Sequence, residues 1–213
     1  PHGRALAFFF AAILCWGIGE FLWSYYDFVL GIDPFPTIAD LFYVIAYPFF
    51  FLGFIQEFGF RDLKFAKMDK VLLFFTALIF LFAFVGEFYF GVYLAYSGEA
   101  SLYENIFSIA YGVGDLIIIG TALLLILVVW EFRHGKVFIP WALFFLALVM
   151  VLLADIYFSI YEDFYENKIF PYFQIADSLW ILSYIFFASA FFSFREIILD
   201  VQRDLRRKMR SLS

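Results

Sequence analysis

Six stretches of this chain, residues 5–26, 38–58, 71–95, 105–130, 141–161 and 175–194, stay apolar over the length needed to cross a bilayer. About 20 such residues span the roughly 30 Å hydrocarbon core as a helix. In lipid every backbone N–H and C=O needs a partner, so a lone apolar segment of this length is held as an α-helix. The expected fold is therefore an all-α integral membrane protein with six transmembrane helices. Residues 1–194 read as one transmembrane domain and 195–213 as a basic amphipathic tail. Composition agrees: 65% hydrophobic and 25% aromatic residues leave too little polar surface for a soluble fold. The first span follows Arg4 without a small-residue cleavage pattern, so it reads as mature structure rather than a signal peptide. Cys15 is the single cysteine, which excludes an intrachain disulfide.

Charge sets the orientation. In a six-span layout every Lys and Arg except Lys168 falls on one side: Arg4, then Arg61, Lys64, Lys67 and Lys70, then Arg133 and Lys136, then the tail. Positive residues stay inside, which predicts a cell-membrane protein with both termini cytoplasmic. The opposite loops are acidic, carrying Asp27, Asp33, Glu99, Glu162, Asp163 and Glu166. The net charge of −6 conceals this asymmetry.

A phrase returns within the spans. Glu20, Glu87 and Asp155 each stand six residues before a tyrosine, namely Tyr26, Tyr93 and Tyr161. Each such helix is followed by a loop and then a second acid–tyrosine phrase: DLFYVIAY from Asp40 to Tyr47, ENIFSIAY from Glu104 to Tyr111, and DSLWILSY from Asp177 to Tyr184. Recurrence at nearly equal intervals predicts three tandem helical hairpins, about 5–60, 71–130 and 141–194. All three enter from the same side, so the repeats are parallel, with a pseudo-threefold axis along the membrane normal.

The two acid sets carry different expectations. Thr37-x-x-Asp40 and Ser101-x-x-Glu104 fit capping boxes, with the acid in the first helical turn. Asp177 has the same place but Gln174 is a poor cap. Glu20, Glu87 and Asp155 lie deeper, roughly 9 Å below their tyrosines at helical rise. An ionised acid there costs about 3 kcal/mol even on lenient insertion scales. They must be protonated, hydrogen-bonded, hydrated or bound to a cation. No Lys, Arg or His lies in a span to pair with them, which leaves Tyr, Ser and Trp donors. One reading is a set of neutral carboxyls cross-linking helices. The other is an outer-half cavity ringed by acids and aromatics.

Asp115 breaks the symmetry, because the equivalent positions are Phe51 and Ala188. It follows Tyr111 by four residues on one helix face and sits at a depth similar to Glu87. Two carboxylates so placed suit a shared proton or a bound cation. The nearby Gly112, Gly114 and Gly120 point to close helix packing. Pro48 removes a backbone bond mid-span and predicts a kink.

Catalysis finds no support. The two histidines, His2 and His134, lie outside the spans, so zinc-hydrolase and bis-histidine haem chemistry lack ligands. No intramembrane lysine, G-x-S-x-G or P-loop is present. No enzyme activity, no cofactor and no nucleic-acid partner is expected. Four intramembrane carboxylates leave a hard-cation site open. In the tail, Ile198, Val201, Leu205 and Leu212 keep an a/d spacing that Lys208 interrupts. That pattern suits a two-stranded signalling helix in a homodimer, while the basic residues suit anionic lipid.

The stretch PFPTIADLFYVIAYPFFFLGF (34–54), preceded by GEFLWSYYDFVLGI, resembles the multispan N-terminal region of archaeal and bacterial signalling proteins. There a P-[ST]-x-A-D-x-x-Y-x-x-x-Y-P phrase precedes PAS, histidine-kinase or diguanylate-cyclase modules. It maps onto Pro36, Thr37, Ala39, Asp40, Tyr43, Tyr47 and Pro48, and ADSLWILSY fits the same family's closing hairpin. This chain departs from the pattern in having only residues 195–213 after the last span. The resemblance implies a sensory role and a cytoplasmic output domain or partner protein, and the phenylalanine load and phrasing point to an archaeal source. The leading expectation is thus a membrane-embedded sensor whose ligand- or cation-binding site is lined by Glu20, Glu87, Asp115 and Asp155, with Tyr47, Tyr111 and Tyr184 as donors. The alternatives are a small proton- or cation-translocating protein using the same acids, and a structural membrane subunit.

Overall fold

The computed structural model describes residues 2–32, 35–58, 70–131 and 133–210. Asp33, Pro34, Arg61, Lys64, Lys67 and Leu212, which entered the readings above, lie outside them. Six helices follow in order: α1 (His2–Ser24), α2 (Ile38–Phe58), α3 (Lys70–Glu87), α4 (Leu102–Glu131), α5 (Phe138–Glu166) and α6 (Tyr172–Arg210). Among the described residues there is no strand, and each helix is long and apolar enough to cross a membrane. The chain is an all-helical protein of multi-pass membrane type.

α1, α4, α5 and α6 outrun the apolar stretches that predict them, whereas α2 coincides with its stretch. α1 continues into a π segment, Tyr25–Leu30, closed by Gly31 in the left-handed conformation at φ 64°, where a glycine is at ease. α3 continues into a second π segment, Phe88–Tyr93. α5 passes through Tyr161 in a non-helical conformation (φ −119°, ψ 26°). Tyr26, Tyr93 and Tyr161, the three tyrosines six residues beyond an acid, thus all sit where a helix leaves regular α geometry. α2 stays helical through Pro48, and α6 stays helical far past the hydrophobic run to Arg210.

The chain divides into two compact units, and the boundary falls within α4 after Leu123. In the first, Phe9, Ala12 and Trp16 of α1 are buried with Ala46, Tyr47, Phe50 and Phe54 of α2. Ring centroids of Phe9 and Phe54 lie 5.0 Å apart, Trp16 and Phe50 4.7 Å, and Trp23 and Tyr43 6.4 Å. Rising numbers on α1 meet falling numbers on α2, so the pair is an antiparallel hairpin. In the second unit α5 and α6 pair the same way, through Trp141–Phe194 (4.8 Å), Phe144–Phe187 (5.0 Å) and Phe158–Trp180 (5.8 Å). Lipid tails are as apolar as leucine, so these helices associate by packing rather than by the hydrophobic effect. Edge-to-face rings interleaved with fully buried alanines (Ala5, Ala12, Ala39, Ala46, Ala147, Ala154, Ala190) supply that packing.

Candidate functional site

In the first unit the acids lie between helices. The amide of Thr37 donates to Asp40 Oδ2 (2.6 Å) and the amide of Ala39 to Thr37 Oγ1 (3.2 Å), so Asp40 caps the start of α2 as its spacing predicts. It does more than cap. The Tyr111 hydroxyl of α4 donates to Asp40 Oδ1 (2.6 Å), and Asp40 is fully buried. The reciprocal bond runs from the Tyr47 hydroxyl of α2 to Asp115 Oδ1 of α4 (2.7 Å). Along both helices the first bond precedes the second, as two helices pointing the same way require. Tyr111 and Asp115 share a face of α4, yet each finds its partner on α2.

Glycines set how closely the helices approach. A Cβ on Gly114 would land on the Tyr47 ring, so the missing side chain is what lets that ring lie across α4 and reach Asp115. A Cβ on Gly112 would land on the carbonyl of Gly91. A Cβ on Gly91 would in turn meet the Glu87 carboxyl, which occupies that hollow. Gly120, grouped with these in the sequence reading, has nothing within 4 Å of its Cβ position. Glu87 is 2% exposed, and no hydrogen bond or ion pair of its carboxyl is found among the described residues. Glu20 is half-buried on α1, next to Gly19, whose Cβ would meet the Tyr43 ring at 3.0 Å.

Glu104 belongs to a complete capping box: the Ser101 amide donates to its Oε2, and its own amide donates to Ser101 Oγ at 3.2 Å. Asn105 locks the preceding loop by accepting from the Ser97 amide (2.8 Å) and donating to the Ser97 carbonyl (2.9 Å). Substituting Ser101 with alanine is expected to cost about 1 kcal/mol, measured by unfolding in bicelles, with the loop still held by Asn105.

The second unit repeats the theme with other donors. Trp180 Nε1 of α6 donates to Asp155 Oδ1 of α5 (2.8 Å), and the Tyr165 hydroxyl of α5 donates to Asp177 Oδ1 of α6 (2.9 Å). Tyr184 lies half-buried on α6. Of the residues predicted for one site, Glu20, Glu87, Asp115, Tyr47 and Tyr111 belong to the first unit, and Asp155 and Tyr184 to the second. Asp40, Tyr165 and Trp180 were missed as site members. Their signal was Trp180 standing one turn beyond Asp177, and Asp177 lacking a good cap.

Among the described residues no group of three or more His, Cys, Asp or Glu is placed to hold a metal ion. What the geometry builds is a set of bridges, in which Asp40, Asp115, Asp155 and Asp177 each accept from a phenol or indole donor on a neighbouring helix. Fold and site together define a multi-pass α-helical membrane protein with acids bridged between helices. No protein-family model, no curated protein and no solved structure matches the chain.

Proposed function

We propose that the chain is a membrane-embedded sensory module that binds a small ligand, lipid or cation among its outer-half acids and aromatics and passes the change along α6 to the cytoplasm. The observation that carries this reading is Glu87, 2% exposed and without a hydrogen bond or ion pair among the described residues. An intramembrane acid is expensive and marks a functional site by default. Tyr47–Asp115 and Tyr111–Asp40 frame the same pair of α2 and α4 with donors that a ligand group can exchange for its own. In the second unit, Asp155–Trp180 and Tyr165–Asp177 tie α5 to the helix that continues to Arg210. The reading takes the chain as three parallel hairpins with cytoplasmic termini, the first two carrying a π segment at the tyrosine six residues beyond the acid. π segments of this kind recur at functional sites. Each bridging carboxyl meets a phenol or indole donor of a neighbouring helix, and among the described residues no three His, Cys, Asp or Glu are grouped around a metal position. This favours a hydrogen-bonding ligand over a hard cation, since the latter needs several oxygens at once.

Native mass spectrometry of the chain extracted from its membrane tests this. The expected result is a small-molecule or lipid adduct of defined mass that Glu87→Gln and Asp115→Asn lose while the melting temperature is kept. Variants that only melt earlier, with no adduct in either form, make the carboxyls mere cross-links. Proton or cation flux into proteoliposomes that Asp115→Asn stops would establish the transport reading instead.

A further inference from the structure

The face by which α6 packs on α5 does not end where α5 ends. Phe187, Phe191 and Phe194 meet Phe144 and Trp141 at ring-centroid distances of 5.0, 6.1 and 4.8 Å. α5 begins at Phe138, less than one turn before Trp141, so it runs out about one turn beyond Phe194. The same stripe continues through Ile198, Val201, Leu205 and Met209, at spacings that hold one helix face. These four side chains are 42, 53, 55 and 64% exposed.

Three candidates can cover such a stripe. A second copy meets an obstacle: α5 already lies on this face as far as Phe194, so twofold mates cannot join their stripes from Ile198 onward without driving their α5 ends together. Lipid is also disfavoured. α6 runs without a break from Tyr172 to Arg210, and Leu205 and Met209 lie about 15 and 21 Å beyond Arg195 along it. The headgroup layer is only about 5–7 Å deep. A helix from outside the described residues remains, and charge specifies it. The tail's acids are held on the polar side, Glu196 by Arg195 (3.0 Å) and Arg203 (3.8 Å), Asp200 by Arg203 (3.4 Å), and Asp204 by Arg207 (4.0 Å). The charged residues nearest the stripe are Arg195, Arg206 and Lys208, all basic.

We propose that the exposed stripe of α6 seats an amphipathic helix of a cytoplasmic partner, in line with α5, apolar along one face and acidic along its flanks. Apolar anchors at i, i+3, i+4 and i+7 supply affinity, and the flanking acids supply register and specificity. The inference rests on the sensory reading in placing the tail on the cytoplasmic side and in naming that partner the output component.

The test uses the full chain in nanodiscs of neutral lipid and a labelled synthetic 18-residue helix with leucines along one face and glutamates beside them. A second peptide carries lysines in place of the glutamates. Fluorescence anisotropy is expected to show the glutamate peptide binding at least tenfold more tightly than the lysine peptide. Leu205→Asp and Arg206→Glu, both on exposed positions that leave the helix intact, are each expected to weaken it at least tenfold. Absence of binding, or equal binding of both peptides, overturns the proposal. So does disulfide cross-linking between copies of a Leu205→Cys chain in a Cys15→Ser background, which gives the stripe to a second copy. Burial of a probe at that cysteine only in anionic nanodiscs gives it to lipid and overturns it likewise. The peptide is bound without any ligand at Glu87, so its failure and a failed adduct experiment are separate results.

Discussion

Replacing Gly112 with alanine is expected to destabilise the first unit by about 1–3 kcal/mol, although it adds a single methyl group to a good helix former. The reason is where that methyl falls. It meets the backbone carbonyl of Gly91 and comes within 2.9 Å of Val92 Cγ2. A backbone group inside a helix cannot swing aside as a side-chain tip does, so α4 and the π segment after α3 must move apart. Two neighbouring glycines make the comparison sharp. Gly120→Ala on the same helix finds open space and is expected to be neutral or to gain about 0.5–1 kcal/mol from helix propensity. Gly91→Ala meets mainly the Glu87 carboxyl, the far end of a flexible side chain. It is expected to cost less in stability than Gly112→Ala while expelling that carboxyl from its hollow. Unfolding by steric trapping in bicelles reads all three. Equal losses at Gly112 and Gly120 would mean that no close backbone approach exists at Gly112.

The six helices were legible because a bilayer imposes one length on every span, and hydropathy measures that length directly. Their ends were not. Hydropathy registers the hydrocarbon, whereas a helix continues as long as its backbone bonds are satisfied, so α6 runs on through the charged tail to Arg210 and α1 runs on through its π segment to Leu30. The capping boxes at Thr37 and Ser101 were legible because their bonds are local in sequence. The acid–tyrosine pairing was legible in kind and not in partner. Spacing puts Tyr111 and Asp115 on one face of α4, but a phenol hydroxyl stands too far from its own backbone to bond a carboxyl one turn away. It reaches the next helix instead, Tyr111 to Asp40 and Tyr47 to Asp115. The Gly112–Gly91 approach depends on which helices are neighbours, and the spacing of glycines on α4 alone says only that some backbone comes close. Trp180 as the donor to Asp155 is of the same kind, since an indole and a phenol are interchangeable to a carboxyl but not to a search for repeated tyrosines.

Loss of the Tyr47 hydroxyl is expected to cost about 1–3 kcal/mol, because Asp115 is 5% exposed and accepts that hydroxyl at 2.7 Å. The ring remains in Tyr47→Phe, still lying over Gly114, so packing is unchanged and the loss is electrostatic. Asp115→Leu removes the acceptor and leaves a phenol without it, a second loss of similar size. The double variant decides what the bond contributes. Removing both partners strips a buried polar pair together and avoids stranding either, so its destabilisation is expected to fall short of the sum of the singles. Measured couplings between membrane helices average about 0.6 kcal/mol and reach about 1.7, and a nearly dry phenol–carboxyl pair belongs toward the upper value. The cycle also separates the two roles weighed for these acids. If the pair only joins α2 to α4, the double variant folds and keeps any adduct seen on the wild-type chain. If Asp115 touches the ligand, stability recovers in the double variant and the adduct does not. Strict additivity of the two single losses would mean that the hydroxyl and the carboxyl do not meet in the membrane, and the pairing of α2 with α4 would have to be redrawn.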